Sequence, residues 1–395
     1  MNEYKIKTLS KISPKGLDLI SETACVLDVE SKDPDGVLVR STKLSESNLN
    51  QSLKAISRAG AGVNNIPIDL CTERGVVVFN TPGSNSNAVK ELVLAALMLS
   101  SRNVISSINF VNNLKHIEKM EELEPFLEEN KKKFKGRELS GATLGVVGLG
   151  AIGSKVAGMG AASDMKVVGY DPALTVEAAW KLPSEVESVG SIEELFSRSE
   201  FITLHIPAME STKGIVDLKL LKNANNASLL NFARHEVVHN QSILEALDKG
   251  YLTNFVTDFP TPELIKRANK QGDVILLPHI GASTSQAEES CAVTAVQQLA
   301  DFLQTGNIIN SVNFPNVNLP RSTKNRIAIT NKNVPAMIGQ IATTLGVLEL
   351  NIADMTNVSR GDLAYSLIDI ENSVNKRALN KLSSIENIIN VRLIT

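Results

Sequence analysis

The stretch Thr143-Leu-Gly-Val-Val-Gly-Leu-Gly-Ala-Ile-Gly153 constrains this chain more than any other. A short apolar run leads directly into Gly148, Gly150 and Gly153, and a helix-forming segment, Ser154–Ala162, follows. The first glycine permits a tight turn, the second lets backbone approach a pyrophosphate, and the third lets helix and strand pack closely. The start of the helix, at Ala151, Ile152 and Gly153, adds free N–H groups and a partial positive charge. Glycines also mark ordinary turns, so the argument needs the next element. Met165–Tyr170 reads as a second strand and ends at Asp171, where a carboxylate meets the ribose hydroxyls of a dinucleotide. Pro172, Ala173 and Leu174 follow, with no arginine to accept a 2′-phosphate, so the pattern predicts NAD rather than NADP.

Composition narrows the setting. A chain of 395 residues accommodates two or three domains, each with its own core. Lys plus Arg is 40 against 43 Asp plus Glu, a net charge of −3, so no basic field points to nucleic acid. Cys25, Cys71 and Cys291 are widely spaced and form neither a C-x-x-C pair nor a metal pattern; no metal is expected and a reducing compartment suffices. The first residues lack the apolar core of a signal peptide, and no apolar run is long enough to cross a bilayer. The expectation is a cytoplasmic protein without membrane association.

Strand and helix candidates alternate along most of the chain, which predicts an α/β protein with doubly wound parallel sheets. Before the glycine motif, strands are expected at Tyr4–Thr8, Ala24–Leu27, Gly36–Val39, Ala55–Ser57 and Val76–Phe79, with helices at Pro14–Ser21, Ser45–Leu53 and Asn87–Ser100. A polar helix through Asn103–Lys115 and a charged stretch, Glu118–Lys135, come next. After the motif, Ser199–Leu204, Ala227–Asn231, Asn254–Thr257 and Val274–Leu277 read as further strands. Residues 313–325 are polar and contain proline, as a linker would be; residues 326–395 suggest β-α-β-β-α-β. In open parallel sheets, ligands bind beyond the carboxyl ends of the strands. Asp171, His205, Arg234, Asp258 and His279 all fall at such ends.

Three of the polar residues supply what oxidation of a hydroxy acid needs. A guanidinium, Arg234, can grip a carboxylate and polarise the adjacent carbonyl. An imidazole, His279, can take the hydroxyl proton as hydride leaves. A carboxylate, Glu263, can favour the protonated ring. Singly, each also reads as an ordinary loop or surface residue.

Their motifs decide between these readings. Ser57-Arg-Ala-Gly-Ala-Gly-Val-Asn-Asn65, Asn80-Thr-Pro-Gly83, the glycine motif with Asp171, His205-Ile-Pro207, Asn231-Phe-Ala-Arg234, Asp258 through Glu263, and His279-Ile-Gly-Ala-Ser-Thr284 occur in sequence. In that order they resemble the D-2-hydroxyacid dehydrogenases, in particular members with a C-terminal ACT-type domain that act on 3-phospho-D-glycerate. The resemblance implies a discontinuous substrate domain at 1–98 and 286–312, a Rossmann-type NAD domain at 99–285 inserted into it, a linker at 313–325 and an ACT-like domain at 326–395. It implies that the substrate lies in the cleft between the first two. It makes Arg234, Glu263 and His279 the catalytic set. Around NAD it places Gly148, Gly150, Ala151, Ile152, Gly153, Asp171, His205, Pro207, Asp258 and Gly281, with Asp258 on the nicotinamide carboxamide.

The same resemblance puts the substrate phosphate near Arg58 and the turn Ala59-Gly60-Ala61-Gly62, whose N–H groups can cradle an anion. Lys131 is either a second phosphate contact or one lysine of a solvated face among Glu121, Glu122, Glu124, Glu128 and Glu129. Asn333 and Asn351 correspond to asparagines that contact serine as an effector. Asn331 and Ala336 depart from the serine-sensitive pattern, so subunit contact without serine control is the expectation, in a homodimer or homotetramer. His235 stands where the family has glycine and is read as tolerated. The function implied is NAD-dependent oxidation of 3-phospho-D-glycerate at C2. The rivals are a reductase of hydroxypyruvate- or glyoxylate-type 2-keto acids and an NAD-sensing protein.

Overall fold

A computed structural model describes residues 3–395. The chain forms two compact units, one running up to Asn85 and resuming at Thr284–Thr395, the other comprising Ser86–Ser283.

In the first unit, Tyr4–Thr8 (β1), Cys25–Leu27 (β2), Gly36–Val39 (β3), Ala55–Arg58 (β4) and Val77–Phe79 (β5) form a parallel sheet in the order β2-β1-β3-β4-β5. β3 and β5 are buried along their whole length, as unbroken apolar runs in a covered parallel sheet must be. The helix Ser285–Thr305 covers the sheet with Ala292, Ala295, Val296, Leu299 and Leu303. Thr284 caps its start by accepting the Ala287 N–H, and Gly306 ends it in the left-handed region. The expected helix at Ser45–Leu53 is only a single turn, Glu46–Asn48. Ser45 and Asn48 satisfy one another's backbone groups there, and Leu49 and Leu53 then turn into the core.

The second unit holds Thr143–Val147 (β6), Lys166–Tyr170 (β7), Val186–Ser188 (β8), Phe201–Leu204 (β9), Ala227–Asn231 (β10), Leu252–Thr257 (β11) and Val274–Leu276 (β12). They form a parallel sheet in the order β12-β11-β10-β9-β6-β7-β8. Chain order reverses between β6 and β9, which is the point where such sheets open a ligand crevice. The doubly wound α/β class read from the sequence is thus observed. The apolar helix Ser86–Arg102 buries Val89, Val93, Ala96 and Leu97 in this unit, so the division falls at 85/86, ahead of the 98/99 boundary expected. Beyond it, Val104–Asn112 has no buried residue, and Phe110 stacks on Phe126 of the next helix, Met120–Asn130. Among the described residues no single helix is long and apolar enough to cross a membrane.

The C-terminal part of the first unit is a four-stranded antiparallel sheet of Asn325–Lys332 (β13), Ile352–Arg360 (β14), Leu363–Ile370 (β15) and Ile388–Ile394 (β16), in the order β14-β15-β13-β16. With the helices Met337–Val347 and Lys376–Ser383 this is the β-α-β-β-α-β pattern. Ile327, Ile329, Ile368 and Ile370 meet Ile341, Leu345 and Leu382 from those helices. Ala328, Tyr365, Leu367 and Ile394 instead join the core that contains Phe302 and Phe314. β15 is therefore buried on both faces. The segment read as a linker is part of this packing: Phe314, Val317 and Leu319 are buried, and Val317 exchanges backbone hydrogen bonds with Ile308 at 2.7 and 2.9 Å. At the same junction the Tyr365 hydroxyl donates to the Gly306 carbonyl at 2.8 Å, and Arg326 and Asp369 form a fully buried ion pair.

Candidate active site

Gly148 leaves β6 at φ +88° and donates to the Tyr170 carbonyl at 2.8 Å. A Cβ on Gly153 would lie 1.8 Å from the Gly148 carbonyl oxygen, so only glycine lets the helix Gly153–Ala162 begin this close to the turn. A Cβ on Gly150, in contrast, would meet nothing within 4 Å; open space lies over the turn. Among the described residues no backbone acceptor takes the N–H groups of Gly150, Ala151 or Ile152. Open space faced by free N–H donors at a helix start suits a diphosphate. Asp171 accepts the Leu149 N–H at 2.8 Å and the Ala173 N–H at 2.9 Å, which fixes its carboxylate beside the turn.

His205 ends β9 across the crevice, and its carbonyl lies 2.8 Å from where a Cβ on Gly148 would stand. Its Nε2 lies 2.9 Å from the Thr203 hydroxyl, while its Nδ1 is buried with no hydrogen-bond partner. Burial pushes the ring pKa down to about 3, so His205 is neutral near pH 7. An orphaned ring nitrogen at a nucleotide crevice is an observation that fits a bound ligand. Pro207 follows in an exposed turn, its carbonyl accepting the Thr212 hydroxyl at 2.6 Å.

Arg234 lies past β10 in a loop pinned by the buried Asn231, which donates to the Arg234 carbonyl at 2.9 Å and accepts the Ala233 N–H at 3.1 Å. Asn231 was legible only as part of a motif; its service to the arginine loop is a structural finding. His235 does not crowd this loop. Its side chain is 63 % exposed and pairs with Glu236 at 3.1 Å.

His279 occupies the left-handed region at φ +57°, a conformation that costs an L-residue about 1–3 kcal/mol. The ring is exposed, with the edge of Phe259 at 5.1 Å between centroids. The following two N–H groups, of Ile280 and Gly281, donate to the two oxygens of Asp258 at 2.8 and 2.7 Å. Glu263 sits exposed in the first turn of the helix Pro262–Gln271, and among the described residues no hydrogen bond joins it to His279. Its own backbone N–H and the Thr261 hydroxyl hold the carboxyl below the usual range.

The phosphate candidates belong mostly to the first unit. Arg58, half-buried at the end of β4, donates from Nε to the Arg40 carbonyl at 3.1 Å. A Cβ on Gly60 would stand 2.6 Å from Arg58 Nη1, so the guanidinium lies directly over the glycine turn. Ala59 donates to Val39, and Asn80 holds the Ala61 carbonyl at 2.6 Å; among the described residues the N–H groups of Ala61 and Gly62 meet no backbone acceptor. Arg40, at the end of β3 beside β4 and paired with Glu288 at 2.7 Å, is a second guanidinium here that sequence reading missed. The signal was available, since it too follows an apolar strand. Lys131, in the second unit, is exposed and paired with Glu128, the solvated-face reading.

In the ACT-like part, Asn333 donates to the Gly361 carbonyl at 3.1 Å and Asn351 to Glu371 at 2.6 Å, both exposed. Ala336 takes φ +68°, the conformation for which glycine is suited. Among the described residues no cluster of His, Cys, Asp or Glu is arranged to hold a metal.

Residues 102–281 match the family described as D-isomer specific 2-hydroxyacid dehydrogenase, NAD binding domain. The chain is 33% identical over 343 residues to D-3-phosphoglycerate dehydrogenase of Methanocaldococcus jannaschii, covering 85% of this chain and 60% of that protein. It is 30% identical over 344 residues to D-3-phosphoglycerate dehydrogenase of Haemophilus influenzae, covering 84% and 79%. Against the first of these relatives the chain spans about three-fifths of the relative's length. Among solved structures, NAD+-bound 3-phosphoglycerate dehydrogenase of Entamoeba histolytica is similar with TM-score 0.60 and 28% identity, over 79% of this chain and 99% of that one. Apo D-mandelate dehydrogenase of Rhodotorula graminis shares the fold at TM-score 0.66 and 22% identity, over 81% and 100%.

Proposed function

Because this chain belongs to the D-isomer-specific 2-hydroxyacid dehydrogenase family, we propose that it oxidises 3-phospho-D-glycerate at C2 to 3-phosphohydroxypyruvate, with NAD as oxidant, as the first step of serine biosynthesis. The observation that carries this reading is the placement of Arg234 and His279 beyond the carboxyl ends of β10 and β12, in the same sheet whose β6 ends at the glycine turn. When bound, the nicotinamide supplies the two-electron acceptor. The N–H groups of Gly150, Ala151 and Ile152 hold the diphosphate, Asp171 takes the adenosine ribose, and its charge disfavours a 2′-phosphate there. His205 Nδ1 and the backbone at Pro207 face the same ligand.

Arg234 grips the substrate carboxylate and polarises the forming carbonyl, and His279 takes the C2 hydroxyl proton. Glu263, in the first turn of the helix Pro262–Gln271, stabilises the imidazolium that forms on His279. Arg58, with Arg40 and the turn Ala59–Gly62, holds the substrate phosphate. Lys131, exposed and paired with Glu128, is a second candidate for the phosphate, since such a surface pair is weak enough to exchange. We also assign self-association, as a homodimer or homotetramer, supported by the unburied helix Val104–Asn112, which exposes Ile105, Ile108 and Val111.

The test is NADH absorbance with purified protein, NAD and either 3-phospho-D-glycerate or D-glycerate. The proposal expects kcat/KM about 30- to 150-fold higher for the phosphorylated acid, since a charge-assisted guanidinium contact to phosphate contributes about 2–3 kcal/mol. Equal use of both would remove the phosphate site. NAD binding without turnover on either would favour a sensor.

A further inference from the structure

We infer that Asp258 is a positioning residue for His279, and that its two carboxylate oxygens, rather than Glu263, hold the left-handed turn on which the imidazole is carried. The inference deepens the dehydrogenase reading and rests on it. Asp258 directly follows β11, its backbone N–H donates to the Asn231 carbonyl on β10 at 3.2 Å, and only 2 % of its surface is exposed. The carboxylate therefore has its position set by the centre of the sheet. Leu277 extends β12 by donating to the Thr257 carbonyl at 2.9 Å. Ile280 and Gly281 then donate to Asp258 at 2.8 and 2.7 Å, so Pro278 and His279 form an arch fastened on both sides to residues 257 and 258.

An L-residue stays in the left-handed region only where its surroundings over-determine it. Two charge-assisted hydrogen bonds on the next two amides supply that constraint. The glycine at 281 belongs to the same device, because a Cβ there would approach Asp258 Oδ2 to 3.1 Å. The Phe259 ring also packs against the imidazole, with centroids 5.1 Å apart and planes inclined at 62°. Glu263 has no comparable connection to the arch, since its carboxylate lies on the helix that begins at Pro262. Each Asp258 oxygen takes one backbone N–H and keeps a second lone pair, so the clamp on the arch and a contact to the nicotinamide carboxamide can coexist.

Asp258→Asn tests this, because an amide offers one acceptor and one donor to two N–H groups. Gly281→Ala is the second variant, leaving the charge but crowding Oδ2. The readouts are kcat and KM from NADH absorbance, NAD affinity by titration calorimetry, and amide hydrogen exchange of the 277–284 segment. Displacing a catalytic group by about 1 Å costs about 10²-fold, so kcat should fall by about that factor in Asp258→Asn and by more than in Glu263→Gln. Exchange at Ile280 and Gly281 should accelerate in Asp258→Asn and, to a lesser degree, in Gly281→Ala. Unchanged kcat, or unchanged exchange at Ile280 and Gly281, in Asp258→Asn overturns the inference. So does a larger kcat loss in Glu263→Gln. A wild-type protein without turnover refutes the dehydrogenase reading instead, and the exchange data still judge the clamp.

Discussion

His279→Asn should lower turnover by about 10²- to 10⁴-fold, the range for removing a general base, with NAD affinity nearly unchanged. Asn is the informative replacement because it adopts the left-handed region more readily than most residues. The arch at φ +57°, its clamp to Asp258 and the Phe259 neighbour can therefore persist while the titrating ring is lost. His279 lies beyond the end of the far strand β12, away from the glycine turn after β6, so the diphosphate contacts have no reason to change. Steady-state NADH formation and a calorimetric NAD titration on the same preparation separate the two effects. Turnover in the wild-type range would remove His279 from the chemistry.

Asp369→Ala should destabilise the first unit by about 3–5 kcal/mol, the cost of leaving a buried charge without its partner. Arg326 and Asp369 are both fully buried, joined by Nε–Oδ1 at 2.6 Å and Nη2–Oδ2 at 2.9 Å. Arg326 also donates to the Thr305 carbonyl at 3.1 Å, and Ser322 donates twice to Asp369, so the pair ties the ACT-like sheet to the end of the long helix. Burial raises the Asp369 pKa, but the Arg326 guanidinium and the Ser322 donors outweigh it and leave the carboxyl below its ordinary value. A folded pKa below the unfolded one contributes stability that is fully present above the unfolded value and lost as pH falls through the folded one. The stability gap between wild type and Asp369→Ala should thus be full at pH 7 and shrink below about pH 4, near the unfolded carboxyl pKa. Urea unfolding across that range measures it. A change under 1 kcal/mol at pH 7, roughly that of an exposed ion pair, would contradict the assigned burial.

Much of this molecule was legible because the relevant signals are local. The glycine turn, the strand ending at Asp171 and the β-α-β-β-α-β order are set by residues close in sequence. Other features depended on distant partners. Nothing near residues 313–325 indicates that Phe314 and Val317 will share a core with Tyr365. The helix Pro262–Gln271 did have a local signal, a Thr N-cap followed by proline, and it carries Glu263 in its first turn. Residue types at strand ends identified Arg234 and His279 as chemically capable, while the support given by Asn231 and Asp258 appears only once β10, β11 and β12 lie side by side. Arg40 carries the local signal of following an apolar strand, but only the pairing of β3 with β4 brings that strand end beside the one at Arg58.

The central claim is that this chain moves hydride from C2 of a phosphorylated hydroxy acid to NAD. The most direct measurement supplies 3-phospho-D-glycerate deuterated at C2 and determines the mass of the reduced cofactor. Each NADH formed should carry one deuterium. Unlabelled NADH, or bound NAD with no reduction at all, would contradict it.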